Sequence, residues 1–150
     1  MAANPLKSLR IAVIALLVFL AIQFEFGMAV NLANPPSIPP FPFSFSTVIS
    51  ALNQVGFIAI IHAALGIILT ILSLVSLVMA LESKIRSVQI FGELGFLSMV
   101  LAAIMGLFFV LSGFQNENYS HGMATNFLLT FGFNFLELYF LKPAGLRDGL

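Results

Sequence analysis

Residues 57–81 read FIAIIHAALGIILTILSLVSLVMAL, twenty-five positions without a charged side chain. A helix needs about 20 apolar residues to cross the hydrocarbon core of a bilayer, and this run supplies them with a margin. No stretch of the chain alternates apolar and polar residues with period two, so a barrel strand is a poor reading. A helix satisfies its own backbone in lipid and fits the run well.

Three further runs flank it. Residues 11–30 are broken only by Gln23 and Glu25, residues 94–113 follow directly on Glu93, and residues 122–141 contain Glu137 and are closed by Lys142. Together they predict an all-α fold, an integral membrane four-helix bundle forming one transmembrane domain over residues 1–150. For the first run a secretory signal is the alternative, since Lys7 and Arg10 precede a 14-residue charge-free stretch. Its apolar run is longer than a signal needs, which favours a retained span.

Composition agrees. The chain is 60% hydrophobic and 8% charged, with a mean hydropathy of +1.08, against roughly 25% charged residues in ordinary globular chains. A freely soluble enzyme, a disordered chain and a nucleic-acid binder are thereby excluded. The absence of cysteine removes disulfides, iron–sulfur ligation, thiolate zinc sites and covalently attached haem. There is no GxSxG, no phosphate-cradling glycine loop and no HExxH. No internal repeat suggests the paired halves of a secondary transporter.

The six basic residues fall into three pairs: Lys7 and Arg10 before the first run, Lys84 and Arg86 between the second and third, Lys142 and Arg147 after the fourth. The positive-inside rule puts all three segments, and hence both termini and the short Glu82–Gln89 loop, in the cytoplasm of a cell membrane. Four acids, Glu82, Glu93, Glu137 and Asp148, share that side with the six bases. Glu25 and Glu117 remain outside with no base beside them.

The outer loop 31–56 contains Pro35, Pro36, Pro39, Pro40 and Pro42, with Phe41, Phe43 and Phe45 at alternate positions. Clustered prolines predict an extended course, lying on the membrane, on its own bundle, or against another subunit. The second outer loop, 114–121, carries Asn118-Tyr119-Ser120, an N-glycosylation acceptor pattern.

Helical spacing aligns His62, Gly66, Thr70, Ser73 and Ser76 on one face, Gly95, Ser98, Ala102, Gly106 and Gly113 on another, and Asn126, Thr130, Asn134 and Glu137 on a third. Small and hydroxyl-bearing faces are what membrane helices turn toward one another. The last stripe also reads as a small ion or proton conduit. Glu93 and Glu137, near basic residues at the inner ends of their spans, read as snorkelled ion pairs.

Glu25 and His62 each fall about 8 Å inside the outer ends of their spans by helical rise, and His121 stands at the mouth of the fourth. Three readings of this group stay open. His62 and His121 could be axial ligands of haem b, with Gly66 leaving room beside the porphyrin. Glu25, His62 and His121 could hold copper or zinc, or a quinone headgroup. Or His62 simply bonds Glu25 or a helix carbonyl, leaving His121 solvated.

The segments QFEFGMAVNLANP (23–35) and IHAALGIIL (61–69), with HGMATNFLLTFGFNF (121–135) as a final helix, resemble small four-span prokaryotic membrane proteins of unassigned function. That resemblance implies a bacterial or archaeal four-helix protein and supplies no activity. It points to Gly27, Met28, Asn31, His62 and Gly66. The leading expectation is a non-catalytic accessory subunit working with other membrane subunits or as a homo-oligomer, in a respiratory or other redox complex. An electron carrier with haem b is the alternative.

Overall fold

The computed structural model describes residues 5–32 and 38–141. It is all-α, with five helices in the order α1 (Pro5–Leu32), α2 (Phe45–Val55), α3 (Phe57–Glu82), α4 (Arg86–Leu111) and α5 (Glu117–Phe140). Each joint has a local cause. Gly56, at φ +114°, separates α2 from α3 with a backbone that side-chain-bearing residues rarely adopt. Ser83, Lys84 and Ile85 turn α3 into α4, so the inner loop is shorter than the expected Glu82–Gln89.

A Schellman closure ends α4. Phe114 N–H reaches Phe109 O (3.1 Å) and Gly113 N–H reaches Val110 O (2.9 Å), while the Phe109 and Phe114 rings meet edge to face at 5.6 Å. Gly113, at φ +68°, is also where the preceding loop lies down. Ile38 N–H donates to Gly113 O (3.3 Å) and Phe41 N–H to Leu111 O (3.2 Å), and a Cβ at Gly113 would overlap the Ile38 carbonyl.

The long helices pack in the pairs α4–α5, which is the most extensive, α1–α3, α3–α4 and α1–α5; α2 leans on α3 and on the edge of α4. Two apolar clusters fill the interior. One, at the end bearing Lys7, Arg10, Lys84 and Arg86, joins Leu9, Val13, Ala80, Val88 and Leu141. The other, deeper in the array, joins Leu16, Leu20, Leu69 and Met99, with Leu72 and Phe127 against it. Small residues set the spacing of α4 and α5: a Cβ on Gly95 would sit 2.9 Å from Asn134 Nδ2. The outward faces are apolar, as with Ile67, 65% exposed, and Ile71, 58% exposed.

These observations correct the expected four-helix bundle. Three helices, α1, α3 and α4, are long and apolar enough to cross a membrane by length and composition. Helix α5, which covers the expected span 122–141, is not among them. It carries Asn126, Asn134 and Glu137 in an otherwise apolar stretch, and three such side chains offset the hydropathy of its phenylalanines and leucines. The remaining helix, α2, lies inside the 31–56 segment, where the prolines pointed to an extended course. Thr47 Oγ1 donates to Ser44 O (2.8 Å) in its first turn, and Ala51 and Leu52 are its buried contacts. Pro35 and Pro36 lie outside the described residues.

Candidate functional site

Polar side chains enter the interior in two groups, one around His62 and one along α5. The first centres on His62. The buried face of α1 runs through Leu9, Val13, Leu16, Leu20 and Gln23, alternate steps of four and three that hold one side of a helix against its neighbours. Gln23, not Glu25, is therefore the residue facing α3. Its Nε2 donates to His62 O at 3.0 Å and stands 3.4 Å from His62 Nε2. Gly27, one turn further, lies so close that a Cβ there would sit 3.0 Å from His62 Cε1. Gln23 Oε1 and His62 Nδ1 are buried without hydrogen-bond partners.

The other candidates do not join this pair. Glu25 is exposed on the outward side of α1, and His121 is exposed in the second turn of α5. No group of three or more His, Cys, Asp or Glu able to hold a metal occurs among the described residues, so the Glu25–His62–His121 metal reading has no geometry behind it. Haem b fares no better. Helices α3 and α5 are not among the closely packed pairs. The space beside Gly66 belongs to Gln23, whose Nε2 is the nearest atom, 3.5 Å from where a Cβ would stand. Phe24 and Phe127 stack at 5.8 Å between α1 and α5. A porphyrin does not fit there.

The second group is the polar stripe of α5. Asn126 Nδ2 donates to Gly122 O (2.8 Å), Thr130 Oγ1 to Asn126 O (2.8 Å), and Asn134 Nδ2 to Thr130 O (2.7 Å). Each side chain thus bonds the carbonyl four residues back. This is how hydroxyls and amides satisfy their donors on a helix that offers no other partner. The pattern stops at Glu137. That residue is 0% exposed, and neither carboxyl oxygen has a hydrogen-bond partner. The expected snorkelled ion pair is not formed among the described residues. Lys142 lies outside them.

Room for the Glu137 carboxyl comes from Gly92 and Ala80. A Cβ on Gly92 would stand 2.9 Å from Ala80 Cβ and 3.6 Å from Glu137 Oε1. Ser76, one turn before Ala80 on the buried face of α3, has a buried hydroxyl that is likewise unpartnered. Ser73, Ser98 and Thr130 are buried beyond it. Asn118 is exposed in the first turn of α5, its N–H held by Asn116 Oδ1 at 3.1 Å, so the glycosylation pattern sits on a helix start and not in an open loop. The best-formed surface depressions lie along α2, at Phe45, Ile49 and Asn53, and between Pro40 and Asn116–Asn118; neither is lined by His62 or Glu137.

The chain matches no family model, no curated protein and no solved structure.

Proposed function

We propose that the protein is a non-catalytic accessory subunit of a larger assembly in the cell membrane. The observation that carries this reading is the position of Glu25. Val18, Ile22, Glu25, Met28 and Leu32 form one outward stripe of α1, and all five are exposed. An ionisable side chain in such a stripe is costly against lipid, at most about 2.5–3.5 kcal/mol, the value insertion scales give at a helix centre, since Glu25 lies nearer one end of α1. Among the described residues, no lysine or arginine lies at that end to offset it. A neighbouring helix that brings a basic or hydrogen-bonding side chain to the same depth removes the cost. Leu32, 75% exposed, and Phe45, 79% exposed, extend the uncovered apolar surface at the same end.

The test is the native mass of the protein extracted from its own membrane in mild detergent. The wild type is expected in a discrete complex larger than the 16.2 kDa chain, and Glu25→Leu is expected to lose it while keeping the helical content. A wild type that extracts as a lone chain, or a Glu25→Leu variant that assembles normally, overturns the proposal. A complex containing only this chain identifies the partner as a second copy.

Charge supports an orientation with the Lys7, Arg10, Lys84 and Arg86 end in the cytoplasm. Leu141 packs with Leu9, so α1 begins and α5 ends on that side. The chain contains no cysteine, which makes single replacements clean reporters. Ser83→Cys should react with a membrane-impermeant maleimide only after the cell is opened, and Ser50→Cys in intact cells. The reverse pattern refutes the orientation.

A further inference from the structure

We propose that Glu137 is a proton-binding site, a carboxylic acid held in its neutral form inside the helix array and exchanging its proton with water at the basic end. The inference is independent of which assembly the protein serves. Three observations carry it. The side chain is fully buried with both oxygens unpartnered. Its surroundings admit a carboxyl without pairing with it: Gly92 and Ala80 provide the space, and Asn134, on the same face of α5, directs its Nδ2 to Thr130 O. And it lies three residues before the last residue of α5, about 5 Å from that helix end by helical rise, so the path to water is short. Among the described residues, the Leu9, Val13, Ala80, Val88 and Leu141 cluster lies at that end.

Charged groups on the surrounding elements do not change this. Lys7 and Arg10 on α1, Glu82 on α3, and Arg86 and Glu93 on α4 are all exposed, and none of them donates to Glu137. An ionised carboxylate left unpartnered in an apolar interior is penalised strongly; adding one proton removes the charge. A metal cation is a poorer occupant: calcium takes about six or more oxygen ligands, and among the described residues no group of three or more His, Cys, Asp or Glu is placed to hold a metal. The Leu16, Leu20, Leu69 and Met99 cluster lies between Glu137 and the Gln23–His62 pair, and the basic end is the shorter way to water.

Dicyclohexylcarbodiimide tests this in the full chain reconstituted in lipid. A neutral acid transfers its proton to a carbodiimide nitrogen while the carboxyl oxygen adds to the central carbon. The O-acylisourea then rearranges to a stable N-acylurea that keeps every atom of both reactants and is located by peptide mass. Glu137 is expected to be modified in mildly acidic buffer, with labelling falling several-fold in alkaline buffer, and Glu137→Gln to abolish the adduct. Exposed Glu93 and Glu117 should react instead with a water-soluble carbodiimide and an added amine. Infrared difference spectra between the two buffers provide a second readout, the carbonyl stretch of a protonated carboxyl, present in the wild type and missing in Glu137→Gln. Absence of an adduct at Glu137, labelling that does not change with pH, or an infrared band that survives Glu137→Gln overturns the proposal. Protection by sodium ions at fixed pH also overturns it, since the occupant is then a cation.

Discussion

Two ionisable side chains enter the interior of this helix array, one from each end, and they are treated in opposite ways. His62, toward the outer end, is met by Gln23 across the α1–α3 contact and braced by Gly27. Glu137, toward the basic end, is enclosed more completely and has no hydrogen-bond partner. The difference lies in which residues the neighbouring helices present at each level. The buried face of α1 offers Gln23 at the level of His62. At the level of Glu137 the facing positions are Gly92 and Ala80, with Leu9, Val13 and Val88 just beyond. A hydrogen-bonded group fixes the register of two helices. An unpartnered one holds a proton or costs stability.

Replacement of Glu137 by an apolar side chain breaks that comparison most sharply. Removing one unsatisfied buried carboxyl removes a desolvation penalty of about 1–3 kcal/mol. Leucine adds a branched methyl where the carboxyl oxygens were, and the space left by Gly92 can accept it. Glu137→Leu is therefore expected to raise the apparent melting temperature of the protein in detergent. A drop of comparable size means that Glu137 has a partner under those conditions, and that the two ends are more alike than they look.

The charge-free run 57–81 anticipates α3 almost residue for residue, because hydropathy alone defines a helix with no polar interruption. The start of α4 is less legible. The helix begins at Arg86, eight residues before the apolar run 94–113, since an exposed Arg86 and Glu93 can ride on a helical turn that hydropathy does not register. Helix α2 was hidden by the prolines before it, although Phe45, Val48, Ile49, Leu52 and Val55 carry the helical period. At the site, the choice between Gln23 and Glu25 was available from the spacing of Leu9, Val13, Leu16 and Leu20, which selects residue 23. The solitude of Glu137 was not. Lys84, Arg86 and Lys142 fall at the same end of the expected spans and suggested pairing, and only the packing of α3, α4 and α5 shows that Lys84 and Arg86 are exposed and lie elsewhere. The comparison of His121 with His62 was equally closed to sequence, because it depends on which helices become neighbours.

The smaller effect sharpens the comparison from the other side. Gln23→Leu keeps the volume and extends the apolar face of α1, so packing against Leu20 changes little. What it removes is one donor to the His62 carbonyl and the contact with the imidazole. Side-chain hydrogen bonds between membrane helices contribute about 0.6–2 kcal/mol each, so the variant should be less stable by an amount in that range, opposite in sign to Glu137→Leu. The carbonyl of His62 still accepts its helical bond, which keeps the loss at the lower end. The ring itself loses its neighbour, and its nuclear resonances should broaden or shift while those of His121, exposed at the start of α5, stay in place. Equal stability and an unmoved His62 signal would mean that Gln23 is a bystander. The two ends of the array would then differ only in which of them holds a proton.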